Sequence, residues 1–297
     1  MGFEVVNGGL FTTVQDLGRF GFMHLGVTHS GAMDEYAYRW SQKLLNNQDG
    51  NALEVMAGLK LKATSSTQIA LCGADLDFKL NGVSQPVWQT HRVQAGDILS
   101  FEKRISGQRA YLAVKDGFKI AKKYGSYSTT LREGIGSRLQ KGDVLPFDSC
   151  DDNHTIYRVK SAYKPDYQQS LTLRILLSCQ EDYFTPKEKE KFFNSNYEVT
   201  LQSDRMGYKL KGPLVTPTQD GIISESIAFG SVQIPKDGQP IILLKESQTI
   251  GGYPKIGTVL PIDCFKLAQA AIGSSVKFEP IGIVEAQEKM REFYQKI

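Results

Sequence analysis

Segments typical of short β-strands follow one another at intervals of about ten residues, and this spacing constrains the fold more than any other feature. Residues 59–64 (LKLKAT) alternate apolar and polar side chains, and residues 67–88 hold an apolar run, an alternating segment and an Asn-Gly turn. Strand-like segments recur at 96–102 (GDILSFE) and 109–117 (RAYLAVKDG). Short strands punctuated in this way predict a β-barrel or a β-sandwich.

Helical patterns are fewer. Residues 30–47 place apolar side chains at helical spacing, with Ser30 as the expected N-cap. Residues 185–195 open with Thr185 as N-cap and a proline at the first helical position. We also expect a helix that starts at Asp263 and stops at Gly273, and a C-terminal helix over residues 285–297.

Length and charge argue against several classes of protein. A chain of 297 residues suits two domains of about 150 residues. The net charge of +3, from 35 basic and 32 acidic residues, gives no electrostatic footprint for nucleic acid. The first residues do not resemble a signal peptide, and no stretch is apolar over the length of a transmembrane helix. We therefore expect a cytoplasmic protein with no nucleic-acid or membrane partner.

The cysteines and histidines predict neither disulfides nor a metal site. The four cysteines lie far apart and form no CxxC pair, which indicates free thiols in a reducing compartment. The four histidines lack the spacing of zinc ligands, so we expect no metal.

Two pairs of similar segments indicate an internal duplication. Residues 15–22 (QDLGRFGF) and 202–208 (QSDRMGY) share Gln, Asp, Arg, Gly and an aromatic residue. Residues 95–102 (AGDILSFE) and 272–279 (IGSSVKFE) share a glycine, an alternating strand and Phe-Glu. The pattern predicts two related barrels, each with a similar arginine-glycine loop.

The polar, weakly patterned residues 148–170 are the expected connection between the halves. The predicted domains are accordingly residues 1–160 and residues 161–297.

The first loop of interest is residues 12–34 (TTVQDLGRFGFMHLGVTHSGAMD). Its glycines let backbone N–H groups approach an anion, and Arg19 offers a planar fork suited to a carboxylate or phosphate. One interpretation is a substrate-binding loop that enters a helix at Ser30, where the helix N-terminus favours anions. The alternative is a tight turn held by an Asp16–Arg19 pair.

Two later loops have a similar composition. In residues 203–212 (SDRMGYKLKG), Asp204 and Arg205 form either a local ion pair or part of a site. Residues 243–259 (LLKESQTIGGYPKIGTV) hold Lys255 behind two glycines, either in a site or in a solvated β-turn. Neither loop is a Walker A motif. We expect these loop charges to be exposed and to contribute little to stability.

Other catalytic motifs are absent from the sequence. It contains no G-x-S-x-G nucleophile elbow and no G-x-G-x-x-G after a strand. The Ala113-Val114-Lys115 segment lacks the methionines that flank a biotinyl lysine, so we expect no biotin attached to this chain.

Five motifs in order, between Gly9 and Glu279, resemble the KipA family: GLFTTVQDLGRFGF with GVTHSGAMD, ALCGADLDFKLNG, AGDILSF, SDRMGYKLKG and GGYPKIGTV. This family is also called the biotin-dependent carboxyltransferase or allophanate hydrolase subunit 2 family, and its best-defined members are C subunits of 5-oxoprolinase. The resemblance implies a mainly β fold of two cyclophilin-like β-barrel domains with a few short helices.

The resemblance also implies partners and a reaction. The expected partners are the other two subunits of 5-oxoprolinase, the KipI-like B subunit together with the LamB/YcsF-type A subunit. The three would open 5-oxoproline, a lactam, to glutamate with ATP as the cofactor of the complex, and this chain alone would be inactive. The alternatives are a carboxyltransferase acting on urea or a related amide with carboxybiotin, or a regulatory protein that antagonises a KipI-like kinase inhibitor.

For such a substrate the loops supply candidate roles. Asp16, Arg205 and Lys255 are the predicted catalytic residues, for orienting a water or amide N–H and for neutralising negative charge. The predicted substrate-binding residues are Gln15, Arg19, Ser30, Asp204, Gln248, Thr249 and Tyr253.

Overall fold

The computed structural model describes residues 1–150 and 155–297, and β-strands predominate in this part of the chain. The predicted mainly β class with a few helices is confirmed. The chain divides into two compact units. The first comprises Met1–Phe20 and Ser30–Gln168, and the second comprises Gly21–His29 and Gln169–Ile297. The predicted domain boundary after residue 160 stays a prediction.

The first unit contains eleven of the described strands, arranged in two sheets. They are β1 (Gly2–Gly8), β2 (Thr12–Gln15), β3 (Ala52–Val55), β4 (Leu59–Ala63), β5 (Thr67–Asp75), β6 (Phe78–Leu80), β7 (Val83–Ser84), β8 (Gln89–Val93), β9 (Ile98–Phe101), β10 (Ser106–Val114) and β11 (Val144–Pro146). The six-stranded sheet has the order β11-β1-β4-β9-β6-β7, and the five-stranded sheet has the order β2-β3-β10-β5-β8.

Apolar side chains from both sheets form the main core of the first unit. The six-stranded sheet contributes residues such as Phe3 and Leu61, and the five-stranded sheet contributes residues such as Leu53 and Leu112. The five-stranded sheet is also covered on its other face, by helix α1 (Glu35–Leu44). Burial on both faces explains why β5 reads as an apolar run rather than as an alternating strand.

Helix α1 begins later than the sequence pattern predicted. Its N-cap is Asp34, whose side chain accepts a hydrogen bond from Ala37 N, so the prediction of Ser30 as N-cap was wrong. Ser30 instead has a backbone φ of 52°, and its hydroxyl donates to the Thr129 carbonyl at 3.2 Å. The expected entry of this loop into a helix at Ser30 was therefore wrong, whereas a substrate-binding role for Ser30 stays a prediction.

The expected connection between the halves packs against the first unit where the structure describes it. Residues 151–154 of this segment lie outside the described residues. Val159 is buried and its N–H donates to the Trp88 carbonyl at 3.0 Å, and the Tyr167 hydroxyl donates to Asp34 at 2.8 Å. Residues 155–168 therefore belong to the first unit rather than to a linker.

The second unit is built on a closed barrel of seven strands in the order β12-β19-β16-β17-β14-β13-β20. All neighbouring strands are antiparallel except β12 and β20. A separate two-stranded sheet pairs β15 with β18. The strands are β12 (Leu171–Leu177), β13 (Tyr197–Ser203), β14 (Gly207–Lys211), β15 (Glu225–Ser226), β16 (Ser231–Gln233), β17 (Ile241–Leu243), β18 (Ile250–Gly251), β19 (Lys255–Val259) and β20 (Ser275–Pro280).

Three further helices belong to the second unit. Helix α2 (Pro186–Asn194) has the predicted Thr185 N-cap, and its Phe192 stacks on Phe278 of β20. Helix α3 (Pro261–Leu267) begins before Asp263 and ends well before Gly273, so the predicted bounds were wrong. The predicted C-terminal helix is confirmed as α4 (Ile283–Lys296). No helix within the described ranges has the length and apolar character needed to cross a membrane.

Candidate functional site

The predicted site residues divide between the two units. Those of the first unit are Gln15, Asp16, Arg19 and Ser30, and those of the second are Asp204, Arg205, Gln248, Thr249, Tyr253 and Lys255.

All four predicted residues of the first unit contact one later segment, residues 126–130 (SYSTT). The amide of Gln15 donates to the Thr129 carbonyl at 3.1 Å, and the Ser30 hydroxyl donates to the same carbonyl. Gln15 is fully buried, and its Oε1 atom has no hydrogen-bond partner among the described residues. Sequence reasoning missed this segment, although its run of hydroxyl residues after a glycine was a visible signal.

Asp16 is the organising carboxylate of this loop. Its Oδ1 accepts hydrogen bonds from the hydroxyls of Ser126 (2.6 Å) and Ser128 (2.5 Å) and from Gly18 N (2.8 Å), and its Oδ2 accepts from Tyr127 N (2.8 Å). Both carboxylate oxygens are thus engaged with the chain itself. The geometry is that of a residue that holds two loops together.

The guanidinium of Arg19 is turned into the protein. Its side chain is 1% exposed, and it donates to Thr130 Oγ1 at 2.7 Å and to the Ser128 carbonyl. A substrate-binding role for Arg19 stays a prediction. The observed contacts tie the first loop to residues 128–130.

A second buried polar group, centred on Glu54, lies on the five-stranded sheet that also carries Gln15, and it was not predicted. Glu54 on β3 is 1% exposed, and its carboxylate accepts from the Tyr111 hydroxyl (2.7 Å) and from Met33 N (2.9 Å). Arg109 Nε lies 3.6 Å from Glu54 Oε1. Burial, followed by the charge of Glu54, raises the pKa of Tyr111 well above its usual value. Charged residues inside otherwise apolar strands were the signal that could have revealed this group.

In the second unit, Arg205 forms a buried ion pair. Its Nε lies 2.5 Å from Glu246 Oε1, and both side chains are 7% exposed. The backbone strengthens the contact, because Glu246 N donates to the Arg205 carbonyl at 2.9 Å. The expectation that Arg205 is an exposed loop charge was wrong.

Asp204 closes the turn that carries Arg205. Its Oδ1 accepts from Met206 N at 2.8 Å and from Gly207 N at 3.3 Å. Asp16 makes the same type of contact with Gly18 N, also two residues further on. The two similar loops of the sequence therefore share an aspartate turn of the same kind.

Lys255 is the first residue of β19 and lies in a polar cluster. Its Nζ pairs with Glu225 Oε1, and the lysine side chain is 9% exposed against 46% for the glutamate. Gln180 contacts both, since its Nε2 donates to Glu225 Oε1 at 2.6 Å and its Oε1 accepts from Lys255 N at 2.9 Å. The Ser178 hydroxyl donates to the Lys255 carbonyl at 2.5 Å. The alternative of a solvated β-turn at Lys255 was wrong.

The remaining predicted residues, Gln248, Thr249 and Tyr253, precede Lys255 in the sequence. Gln248 and Tyr253 are exposed, and Thr249 is half-buried. The Thr249 carbonyl accepts from Ile227 N at 3.3 Å, next to the two-stranded sheet of β15 and β18. This segment therefore lies along the Glu225–Lys255 cluster. Arg205 and Lys255 belong to separate ion pairs. In the barrel order, β16 and β17 lie between β19, which begins with Lys255, and β14, which follows the turn that carries Arg205.

No group of three or more His, Cys, Asp or Glu side chains that could hold a metal occurs within residues 1–150 and 155–297. One of the four histidines, His154, lies outside these ranges.

The two units make this a mainly β protein with a few helices. The family model described as carboxyltransferase domain, subdomain A and B, matches residues 25–280, and the chain belongs to this family. The chain is also similar to the C subunit of 5-oxoprolinase from Haemophilus influenzae, with 36% identity over 287 residues that cover 94% of this chain and 91% of that protein. The C subunit of 5-oxoprolinase from Escherichia coli is 34% identical over 307 residues, 98% of this chain and 96% of that protein.

Among solved structures, the chain resembles the urea carboxylase of Kluyveromyces lactis. The TM-score is 0.90 at 25% sequence identity, and the match covers 99% of this chain and 28% of that chain. The chain thus spans well under half of the length of that protein.

Proposed function

We propose that the chain is a subunit of a 5-oxoprolinase complex that opens 5-oxoproline to glutamate with ATP hydrolysis. The observation that carries this proposal is the match to two proteins named as C subunits of 5-oxoprolinase, over more than nine-tenths of both sequences in each comparison. The proposed partners are the KipI-like B subunit together with the LamB/YcsF-type A subunit of such a complex. The proposed compartment is the cytoplasm.

The chemistry of a lactam favours Lys255 as the group nearest to the reaction. Its amide carbonyl is a weak electrophile, and attack by water places negative charge on the carbonyl oxygen. A cation in a site that excludes water stabilises that charge much more than one in bulk solvent. Lys255 is such a cation, because its side chain is 9% exposed and its backbone is fixed by Gln180 and Ser178.

Asp16 and Arg205 are better suited to holding loops. The Asp16 carboxylate accepts four hydrogen bonds from its own unit, and the Arg205 guanidinium faces Glu246. We propose that they position the substrate-facing segments rather than act on the substrate.

The use of ATP is proposed for the complex and not for a site on this chain. Arg205 and Lys255 each face a carboxylate, so their charges are compensated within the second unit. The sequence also contains no Walker A motif, so the chain offers no recognised loop for a triphosphate.

The proposal is tested by reconstituting the complex from its three proteins and then leaving out each protein in turn. The three purified proteins are mixed with 5-oxoproline, ATP and Mg²⁺, and glutamate and ADP are measured together. Glutamate release should require this chain as well as both partners, and the chain alone should release none. Turnover by this chain alone, or equal turnover when it is omitted, would contradict the proposal.

The likeness to urea carboxylase favours a second candidate, a carboxyltransferase that uses carboxybiotin carried by another protein. The same preparation, supplied with biotin carboxylase, a biotinylated carrier, ATP and bicarbonate, should then fix labelled bicarbonate into urea or a related amide. Fixation that depends on this chain, without glutamate release from 5-oxoproline, would favour the second candidate.

A further inference from the structure

The carboxamide of Gln233 is buried next to the Lys255 cluster and lacks part of its hydrogen bonding. Gln233 ends β16 and is 2% exposed, and its Nε2 atom has no acceptor in the part of the chain that the structure describes. A buried amide donor without an acceptor costs about 1–3 kcal/mol, so native proteins retain few of them. A donor kept in this state within a closed barrel is suited to an acceptor supplied by a ligand.

Strand pairing places this amide beside Lys255. Gln233 and Lys255 are direct partners across β16 and β19, at a β-bulge that follows Val232, so their side chains start from adjoining backbone positions. On the neighbouring two-stranded sheet, Glu225 is the direct partner of Gly251. The ammonium of Lys255, the amide of Gln233 and the carboxylate of Glu225 therefore belong to one cluster.

Gly251 makes room for the Gln233 amide. A Cβ atom at this position would lie 2.7 Å from Gln233 Nε2 and 2.6 Å from Ile227 Cδ1, well inside contact distance. A larger residue would push the amide away from where it stands. Only a residue without a Cβ atom therefore fits beside this amide at position 251.

The Lys255–Glu225 pair is asymmetric. Lys255 belongs to a barrel strand and is fixed by Gln180 and Ser178, and its side chain is 9% exposed. Glu225 lies on the two-residue strand β15, outside the barrel, and its side chain is 46% exposed although Gln180 Nε2 also donates to it at 2.6 Å. The lysine is the fixed member of the pair, and the carboxylate is the member that can be exchanged.

We propose that Lys255 and Gln233 form a binding subsite for a small carboxylate, whose entry displaces Glu225. In the bound state, one ligand oxygen accepts from Lys255 Nζ and the other accepts from Gln233 Nε2. When no ligand is present, Glu225 occupies only the Lys255 half of the subsite, and Gln233 Nε2 has no acceptor among the described residues. The identification of the ligand as 5-oxoproline rests on the proposed function, whereas the subsite itself does not. The Lys255 ammonium has three N–H donors, so in that case one donor holds the carboxylate and another faces the lactam oxygen of the same molecule.

Titration of the ¹⁵N-labelled full chain with acetate and with 5-oxoproline tests the subsite. The side-chain amide resonance of Gln233, assigned by its loss in Gln233→Met, should shift in a saturable way. Binding should weaken at least tenfold in Lys255→Met and in Gln233→Met, and Gly251→Ala should weaken it as well. Glu225→Gln removes the competing charge and should tighten binding about two- to fivefold, as expected for loss of a partly exposed ion pair.

Asp237→Asn is the matched control, since Asp237 pairs with Lys209 on the same barrel and its loss should leave affinity unchanged. The absence of a saturable shift in the wild-type chain would overturn the subsite, and weaker binding in Glu225→Gln would overturn the exchange. Should Lys255→Met fail to fold by circular dichroism, Gln233→Met carries the same test. Acetate binding with these responses, in a chain whose complex does not hydrolyse 5-oxoproline, would refute the proposed function alone.

Discussion

Arg205 Nε lies 2.5 Å from Glu246 Oε1, and neither side chain is more than 7% exposed. Removal of one partner of such a pair leaves the other charge buried and uncompensated. Arg205→Ala should therefore lower the free energy of unfolding by about 3–5 kcal/mol, measured by urea denaturation. The double variant Arg205→Met, Glu246→Leu should lose less than the single one.

Lys209→Ala is the control for this prediction, because Lys209 and Asp237 form a more exposed pair that should contribute about 0–1 kcal/mol. An Arg205→Ala chain as stable as the wild type would mean that the guanidinium is in water, as the sequence alone suggested.

Asp16 should be as important for stability as any apolar core residue. Asp16→Ala leaves the hydroxyls of Ser126 and Ser128 and the Tyr127 N–H without their acceptor, at a cost of about 3 kcal/mol. Asp16→Asn keeps one acceptor oxygen and should cost less. Thermal unfolding of the two variants measures the difference, and equal stability of Asp16→Ala and the wild type would contradict the assigned contacts.

The local parts of this fold could be predicted from the sequence. The Thr185 cap and Pro186 of α2 are adjacent in the sequence, so the start of this helix depends on local residues alone, and it was predicted correctly. The N-cap of α1 was predicted at Ser30, whereas the structure places it at Asp34. The choice between them depends on the Thr129 carbonyl, which binds Ser30 from 99 residues away. The local helix propensity of residues 30–34 contains no information about a contact with so distant a residue.

The candidate site could also be predicted from the sequence only in part. The loop that holds Lys255 was visible as a motif, but Gln180, Glu225 and Gln233 come from three separate segments that only the barrel brings together. Burial of the loop charges was not predicted either, because charged residues near glycines usually indicate exposed turns.

His29 should make the free energy of unfolding depend on pH. Burial, and secondly the charge of Lys245, lowers the pKa of His29 below its usual 6.5. The unfolded chain then binds its proton at a higher pH than the folded chain does. Stability should fall as the pH drops through 6.5 towards the lower folded pKa. Burial also lowers the pKa of His91, which acts in the same direction.

Urea midpoints at pH 7.5 and 5.5 measure this effect. The decrease at the lower pH should be smaller in His29→Gln than in the wild type, and His24→Gln serves as a control because His24 is exposed. An identical decrease in the wild type and His29→Gln would contradict the prediction.

The four free thiols should differ in reactivity. Burial raises the pKa of Cys72 and of Cys264, and both thiols are enclosed, whereas Cys179 is exposed. Iodoacetamide at pH 8 should label Cys179 in the native protein and leave Cys72 and Cys264 unlabelled until urea is added. Mass spectrometry of the digested chain reads the sites, and equal labelling of Cys72 and Cys179 in the native state would be inconsistent with the fold.

The central claim is that this chain supplies Lys255 to the opening of a lactam within a complex of three proteins, and glutamate release by complexes carrying Lys255→Met measures it most directly. The account predicts that kcat falls about 100-fold or more, the size of effect seen when a charge-stabilising group is removed, while the variant still assembles with its partners. Lys209→Met should retain wild-type turnover. A Lys255→Met complex that releases glutamate at the wild-type rate would contradict the account.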